Sequence, residues 1–446
     1  MGNIVSLNLM FQHFKNHIDS HLSFLRESRL LIAISGGVDS VVLAHLCHKL
    51  KLNIALAHCN FNLRGDESDA DEAFVLDLAE DLDLEVFVES FDTQAYAQDH
   101  KRSIQMAARE LRYNWFSELT EQLNFNFVLT AHHADDNLET FLINFTRGTG
   151  LEGLTGIPEV NGKFVRPLLS FSSDTIKNYA HANNIKWRDD SSNQSVKYLR
   201  NKLRHEVIPI LKEINPSLLQ SFQTTLNNLS DSSAIVSERI DGFLSKTIDG
   251  MSDKEVRFSI AEFKKLPHPK AYVYEVFKDF GFAEWNDVLN LLDGQSGKQV
   301  FSSTHRLIKD REHLLLTPIN TGNEIDVIMI SENDKEIETP LGLLSFYVVE
   351  AVSEVNLNTI YVDAKTLQFP LTLRQKQEGD YFFPLGMNGK KKLSKYFKDE
   401  KLSLLDKENT WLLCSGDAIV WVVSRRADDR FKVTEKTKNI LKITLQ

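Results

Sequence analysis

The chain has little cysteine and no long apolar run. Its three cysteines, Cys47, Cys59 and Cys414, form no C-x-x-C pair, which argues against a disulfide framework or a zinc ribbon and favours a reducing compartment. The longest apolar runs, such as LLIAIS and AIVWVVS, are far shorter than the roughly 20 residues that cross a bilayer. The N-terminal segment does not have the pattern of a signal peptide. We therefore expect a cytoplasmic protein with no membrane partner.

Basic residues are fewer than acidic ones, with 51 Lys and Arg against 62 Asp and Glu, so the net charge is −11 at pH 7. Such a charge would ordinarily argue against a nucleic-acid partner. Residues 51–100 contain thirteen Asp and Glu against two Lys and Arg, which accounts for the whole excess. Residues 161–212 hold ten Lys and Arg against four acids, and residues 374–401 hold eight against four. Each basic segment is either a solvated face or an RNA contact, and charge alone leaves both open.

The first half of the chain alternates strand-like and helix-like segments. Apolar runs such as LLIAIS, NIALAHCN and FNFVL are separated by longer amphipathic stretches. This pattern is typical of an α/β parallel sheet covered by helices, with ligands at the carboxyl ends of its strands. Polar helical sequence follows, and then short strands interrupted by Gly and Pro. We predict a catalytic domain over 1–215, a helical domain over 216–323 and a small α+β domain over 324–446.

A glycine-containing turn, residues 35–40 (SGGVDS), follows the strand-like run LLIAI and begins a helix. Backbone N–H groups and the helix dipole favour an anion at such a position, and the two glycines allow it to approach closely. Asp39 can cap the helix or hold a magnesium ion that neutralises pyrophosphate. The turn is not a Walker A loop, and Gly-Gly after a strand is by itself often only a turn.

Residues 130–140 (TAHHADDNLET) follow the run FNFVL and begin a helix that places Asp136 and Glu139 on one side. Paired carboxylates suit an amino-acid cation. A lysine ε-amine, with a pKa of about 10.4, is bound as a cation and must lose a proton before it can attack. The same stretch could instead be a helix cap or a metal cluster made of His132, His133, Asp135 and Asp136.

Two arginines lie three residues apart in residues 108–113 (ARELRY). That spacing places Arg109 and Arg112 on one helix face, where they could bind phosphate or carboxylate. A surface pair of this kind is also common without any function.

These motifs resemble a known family. The turn SGGVDS resembles the pyrophosphate loop of the N-type ATP pyrophosphatases, which transfer AMP to an oxygen and then displace it with a nitrogen or sulfur nucleophile. Residues 58–64 (HCNFNLR), 108–113 and 130–140 resemble motifs of the tRNA(Ile)-lysidine synthase family, although Asn137 stands where that family has Gln. Further similar stretches are residues 147–154, 166–168, 190–193, 200–209 and 373–399.

The resemblance implies a parallel-sheet ATP pyrophosphatase domain with helical and α+β tRNA-binding domains behind it. It also implies a ligase that joins lysine to the wobble cytidine of the CAU-anticodon isoleucine tRNA, with ATP as co-substrate and Mg²⁺ bound through Asp39 and pyrophosphate. The implied ATP-binding residues are Ser35, Gly36, Gly37, Val38, Asp39, Ser40 and His58. The implied catalytic residues are Asp39, Arg109, Arg112, His133, Asp136 and Glu139. Of these, Asp136 and Glu139 would bind lysine. The implied tRNA-binding residues are Arg200, Arg204, Arg374, Lys390, Lys391, Lys392 and Lys395.

Two rival functions remain. A tRNA thiolase would form the same adenylate, but it would need a persulfide cysteine or C-x-x-C pairs, and Cys59 is the only cysteine near the predicted site. A non-catalytic tRNA-binding protein would have eroded motifs, whereas SGGVDS and HHADD are intact. The sequence leaves open whether the chain works as a monomer or a homodimer.

Overall fold

The computed structural model describes residues 2–188, 199–252, 254–319, 327–353, 356–387 and 389–446. The chain divides into two compact units, Met1–Ser237 and Glu238–Gln446. Within the described residues, no helix is long and apolar enough to span a membrane.

A mainly parallel sheet forms the centre of the first unit. Its strands are β1 (Arg29–Ala33), β2 (Asn53–Asn60), β3 (Val86–Ser90), β4 (Phe127–Leu129), β5 (Val160–Asn161) and β6 (Phe164–Val165). They lie in the order β3-β2-β1-β4-β6-β5, and neighbours run parallel except for the terminal β5–β6 pair. The predicted α/β fold of this region is confirmed.

Helices flank this sheet. In the described residues, the α-helices that begin in this unit are α1 (Gly2–His21), α2 (Val38–Lys49), α3 (Asp66–Asp81), α4 (Thr93–Asp99), α5 (Ile104–Gln122), α6 (Ala134–Arg147), α7 (Leu151–Leu154), α8 (Ser173–Ala182), α9 (Leu199–Lys202), α10 (Ile208–Ile214) and α11 (Leu218–Thr247). The boundary between the two units falls inside α11.

Strand β1 is apolar from Leu30 to Ala33 because both faces of the sheet are covered there. Leu30 and Ile32 point into one core, which also contains residues of α1, α2 and α8. Leu31 points into a second core with Trp115 and Phe116 of α5. Alternate residues of a strand face opposite sides, so a strand covered on both sides reads as a continuous apolar run. This explains why LLIAI was recognisable from sequence.

The order of the strands brings two loops together. The chain passes from β1 to β2 and β3 on one side, and β4 then lies on the other side of β1. Ligands of such sheets bind at the carboxyl ends of strands where the order reverses. Residues 35–40, after β1, and residues 130–133, after β4, therefore share one edge of the sheet.

The second unit contains a sheet that the sequence did not predict. Helices α11, α12 (Ile260–Lys264), α13 (Pro269–Phe277) and α14 (Trp285–Asn290) confirm a helical region. The same stretch also forms β7 (Ile248–Met251), β8 (Val256–Ser259), β9 (Gln299–Phe301), β10 (His305–Asp310) and β11 (His313–Pro318), in the order β7-β8-β11-β10-β9. The prediction of helices alone was incomplete because several of these strands are short and interrupted by charged residues, which weakens the strand pattern.

The C-terminal residues form the predicted α+β module. Its strands are β12 (Ile328–Ile330), β13 (Glu336–Thr339), β14 (Gly342–Val349), β15 (Thr359–Asp363), β16 (Leu371–Gln375), β17 (Tyr381–Phe382), β18 (Lys391–Lys392), β19 (Trp411–Ser415), β20 (Ala418–Val422), β21 (Arg426–Ala427) and β22 (Ile440–Leu445). Its helices in the described residues are α15 (Leu393–Asp399) and α16 (Leu404–Glu408). A core around Trp411, Trp421 and Phe431 fills the space between its two larger sheets.

Candidate active site

The turn at residues 35–40, called the phosphate loop from here on, has the geometry of an anion site. Gly36 has a φ of +85°, a left-handed conformation that favours glycine. The Ser40 hydroxyl donates to the Gly37 carbonyl at 3.0 Å and accepts from the Ser35 amide at 3.2 Å. Helix α2 then begins at Val38, so its first N–H groups point toward the space above the loop.

His58 lies beside the phosphate loop. Its imidazole is buried, and Nδ1 donates to the carbonyl oxygen of Ile34 at 3.0 Å. This contact fixes the end of β1, immediately before the loop. A direct contact between His58 and ATP stays a prediction.

His133 joins the two loops at the sheet edge. Its Nε2 lies 3.7 Å from an oxygen of Asp39 and 3.4 Å from an oxygen of Asp136. His133 also caps α6, because its Nδ1 accepts from the Asp136 amide at 3.4 Å while the Asp136 carboxylate accepts from the His133 amide at 3.1 Å. Three residues that the sequence assigned to catalysis are thus brought together.

Asp39 is in an environment that suits a cation. Its Oδ1 is buried and accepts no hydrogen bond from the described part of the chain. Burial raises the pKa of Asp39 and the nearby Asp136 adds to the rise, while His133 opposes it. No group of three or more His, Cys, Asp or Glu side chains in the described ranges is arranged to chelate a metal. A cation at Asp39 would therefore need further ligands from the substrate.

Asp136 and Glu139 already hold a guanidinium. Glu139 is fully buried and accepts from Arg204 Nε at 2.6 Å and Nη2 at 3.0 Å, and Asp136 accepts from Arg204 Nη2 at 3.0 Å. Arg204 lies in a π-helical turn, Leu203–Val207, between α9 and α10. Arg200 adds a second cation, with Nε 3.5 Å from Glu139. The carboxylate pair can therefore bind a side-chain cation.

The ionisation of Glu139 and that of Arg204 depend on each other. Burial raises the pKa of Glu139, and the hydrogen bonds from Arg204 oppose that rise. Burial by itself would lower the pKa of Arg204, but the hydrogen bonds to Glu139 and the negative charges of Glu139, Asp136 and Asp39 together raise it. A guanidinium and a carboxylate in bidentate contact stabilise each other's ionised form, so the half-buried Arg204 favours the ionised form of the buried Glu139.

His132 was not predicted to take part in catalysis. Its Nδ1 lies 2.9 Å from the Thr130 hydroxyl, and burial lowers the pKa of His132 to about 4. The imidazole is therefore neutral at pH 7. A neutral ring adds no positive charge next to Asp136, so it leaves the carboxylates free to attract a cation.

Asp135 acts as a structural link rather than a metal ligand. One carboxylate oxygen accepts from Lys212 Nζ at 2.7 Å and the other from the Ser173 amide at 2.8 Å. Burial by itself would raise the pKa of Asp135, but these hydrogen bonds outweigh it and lower the pKa. Asp135 thus connects α6 to α8 and α10.

Asp135→Asn is expected to lower the free energy of unfolding by about 1.5–3 kcal/mol at pH 7, because one charge-assisted hydrogen bond is lost. A carboxylate with a lowered pKa stabilises the fold above its unfolded pKa of about 3.9, and this contribution disappears as pH falls through the folded pKa. The wild type and the variant should therefore converge below about pH 4 in denaturant titrations. Asp174→Asn, at an exposed acid of α8, is the matched control, and an equal effect there would contradict the prediction.

Arg109 and Arg112 are both exposed on α5. The Arg112 guanidinium lies 5.2 Å from the ring centre of Phe61, just after β2, and that of Arg109 lies 4.7 Å from the ring of Tyr113. Both side chains stay accessible to an anionic partner, and their catalytic role stays a prediction.

Asn137 holds the glycine-rich segment that follows α6. Its side-chain oxygen accepts from the Ile157 amide at 2.7 Å. A Cβ atom on Gly156 would lie 2.3 Å from that oxygen, so the two segments are in close contact. The segment at residues 190–193 falls outside the described residues.

The predicted tRNA-binding residues of the second unit fall into two groups. Lys390, Lys392 and Lys395 are exposed. Arg374 is largely buried and makes a bidentate pair with Asp380, at 2.8 and 2.9 Å. Lys391 Nζ likewise lies 2.8 Å from Asp399.

Comparison with known proteins gives matches to three protein families and to several relatives that align over nearly the whole chain. Residues 10–211 match a family described as PP-loop domain, residues 251–319 the TilS substrate binding domain, and residues 371–444 the TilS substrate C-terminal domain. The chain is 40% identical over 437 residues to a tRNA(Ile)-lysidine synthase of Parabacteroides distasonis, which covers 97% of this chain and 99% of the relative. It is 38% identical over 433 residues to the protein of that name from Bacteroides thetaiotaomicron, covering 96% and 98%.

Proposed function

The chain belongs to the tRNA(Ile)-lysidine synthase family, and from this premise we infer that it forms lysidine on isoleucine tRNA with ATP. The observation that carries the proposal is the position of His133, which joins Asp39 of the phosphate loop to Asp136 of the acid pair at one edge of the sheet. An activating site and a cation site are thus adjacent, as a two-step ligation requires.

In the first step, the C2 carbonyl oxygen of the wobble cytidine in the CAU anticodon attacks the α-phosphorus of ATP. The bond to pyrophosphate breaks, and AMP is left on the oxygen. The phosphate loop would stabilise the departing pyrophosphate through its N–H groups. Arg109 and Arg112 would neutralise charge on the phosphates or the base oxygen.

Asp39 would be the protein's contribution to a magnesium site. Its Oδ1 is buried and has no hydrogen-bond partner in the described part of the chain, which fits such a role because carboxylate oxygen is a preferred ligand of Mg²⁺. Asp39 would hold a magnesium ion there, and that ion would supply positive charge to neutralise the phosphates.

In the second step, the ε-nitrogen of free L-lysine attacks C2, and AMP leaves with the oxygen. Asp136 and Glu139 would hold the lysine ammonium before it loses its proton. The guanidinium of Arg204 supports this assignment, because it makes bidentate contacts with the same carboxylates. Lysine would take over part of the space that this guanidinium fills, so Arg204 has to shift when lysine binds.

Thiolation is disfavoured by the state of Cys59. Burial raises the pKa of its thiol to about 12, so at neutral pH little thiolate is available to form or transfer a persulfide. All three cysteines are free, and burial also raises the pKa values of Cys47 and Cys414.

A single assay tests the proposal. Purified protein is incubated with ATP, labelled lysine and an unmodified isoleucine tRNA transcript that has a CAU anticodon. We expect lysine incorporation with one AMP and one pyrophosphate released per lysine. A transcript with uridine at the wobble position is the control and should accept no lysine. Binding of tRNA without AMP release would indicate a non-catalytic protein, and sulfur incorporation from a persulfide donor would indicate a thiolase.

We propose that three exposed lysines contact tRNA phosphates: Lys390, Lys392 and Lys395. Arg374 and Lys391, which are already ion-paired, would contribute less to tRNA binding. Replacing the three exposed lysines with alanine should weaken tRNA binding and flatten its salt dependence, by about 0.7–0.9 in log–log slope for each phosphate that is no longer neutralised. Filter binding between about 50 and 200 mM salt measures this. The matched control replaces three other exposed lysines of this module: Lys365, Lys436 and Lys438. An unchanged slope in the first variant would contradict the prediction.

A further inference from the structure

The carbonyl groups at the phosphate loop are held against the protein. The carbonyl oxygens of Ile34, Gly36 and Gly37 each accept a hydrogen bond of about 3.0 Å. Their donors are the imidazole of His58, the backbone N–H of Arg188 and the hydroxyl of Ser40. The negative ends of these peptide dipoles therefore face the protein. The amides of Ser35 and Gly37 donate to hydroxyls within the loop, so the N–H groups at the start of α2 are the ones that an anion would meet.

Gly36 needs this support. It has a φ of +85° and no side chain, so the peptide that follows it can rotate at little steric cost. A rotated peptide would present its carbonyl oxygen to a bound phosphate. The Arg188 amide, which donates to the Gly36 carbonyl at 3.0 Å, opposes that rotation.

Arg188 is in turn held by a buried carboxylate on α3. Asp71 accepts from Arg188 Nε through Oδ1 and from Arg64 Nη2, at 2.8 Å, through Oδ2. The Asp71 side chain is only 10% exposed. Its carbonyl oxygen would lie 4.0 Å from a Cβ atom on Gly36, so α3 packs directly against the loop. One carboxylate thus connects both arginines to the Gly36 turn.

We propose that Asp71, Arg64 and Arg188 are positioning residues that keep the Gly36 carbonyl turned away from bound pyrophosphate. This inference rests on the proposed role of the phosphate loop in ATP binding. It assigns a function to part of the acidic segment 51–100. It also gives Arg64 a role that acts through the loop rather than through contact with the nucleotide.

Asp71→Asn keeps the size of the side chain but removes the charge that holds the two guanidiniums. We expect the Kd for inorganic pyrophosphate and the KM for ATP to rise about 10- to 100-fold, because the N–H groups are no longer fixed in the geometry that binds the anion. The KM for lysine should stay within about twofold, since the acid pair is not part of this network. Calorimetric titration with magnesium pyrophosphate and steady-state kinetics measure the two effects. Asp77→Asn, at an exposed acid of the same helix, is the matched control and should behave like the wild type.

Arg188→Ala provides an independent variant, because it deletes a partly exposed side chain and should be tolerated by the fold. It should reproduce the effect of Asp71→Asn, and the double variant should be no worse than either single variant, since both remove the same link. Folded Arg188→Ala protein that binds pyrophosphate as tightly as the wild type would overturn the inference. If the wild type itself binds no pyrophosphate, and Asp39→Ala is no different, the proposed function of the loop fails instead.

Discussion

Asp39→Ala is expected to reduce ATP-dependent pyrophosphate release by about 10²- to 10³-fold, because a preorganised charge at the reacting phosphates is lost. Oδ1 of Asp39 is buried without a hydrogen-bond partner among the described residues, so its removal should cost the fold little. The measurement is pyrophosphate release with saturating tRNA, with and without lysine. If Asp39 contributes to a magnesium site, the residual activity should also require a higher Mg²⁺ concentration.

The control for this experiment is Asp77→Ala, which removes a solvent-exposed acid of α3. It should leave both pyrophosphate release and its magnesium dependence unchanged. Normal pyrophosphate release by Asp39→Ala would rule out the proposed role of this carboxylate. Asp39 does not cap α2, whose N-cap is Gly37. The magnesium series therefore separates two outcomes: restored activity at high Mg²⁺ indicates a missing ligand, and unrestored activity indicates a distorted loop.

Glu139→Gln is expected to separate the two chemical steps. Removing one charge of a buried pair typically costs about 2–5 kcal/mol or more, so transfer of lysine should fall by about 30-fold or more. Pyrophosphate release should change much less, because the contacts of Glu139 are with Arg204 and Arg200 rather than with the phosphate loop. Adenylated tRNA should therefore accumulate, and it can be measured as labelled AMP that precipitates with the RNA.

A second variant distinguishes loss of lysine binding from loss of folding. Glu139→Gln leaves the half-buried Arg204 guanidinium with Asp136 as its remaining charged partner, and weakening the pairing of such a charge is itself destabilising. Combining Glu139→Gln with Arg204→Met removes that charge as well. The double variant should regain thermal stability but not lysine transfer. If transfer recovers together with stability, Glu139 serves the fold and does not bind lysine.

Much of the fold followed from local patterns. Strand β1 was recognisable because burial on both faces requires an apolar residue at every position, as at Leu30, Leu31 and Ile32. The sheet formed by β7 to β11 was missed for the opposite reason. Strands such as β8 (VRFS) and β10 (HRLIKD) are short and carry charged residues, so their alternation is weak beside the helical sequence around them.

In the candidate site too, local motifs could be recognised from the sequence, but contacts between distant residues could not. The phosphate loop and the acidic motif each lie within a few consecutive residues after a strand, so their chemistry could be inferred before their geometry was known. The partners of the acids could not be inferred in this way. Arg204 lies 65 positions from Glu139, and Arg188 lies 117 positions from Asp71. In the sequence, Arg204 is simply one cation of a basic segment, for which RNA was the natural partner.

The sequence by itself determined the class of chemistry and the place where it occurs. The loop proposed to bind phosphate and the carboxylate pair proposed to bind lysine each lie within a few consecutive residues after a recognisable strand. Only the tertiary structure decided which charges neutralise one another: Arg204 on Asp136 and Glu139, Lys212 on Asp135, and two arginines on Asp71. The physical reason is that ion pairing depends on burial and on distances of a few ångströms between side chains that are remote along the chain.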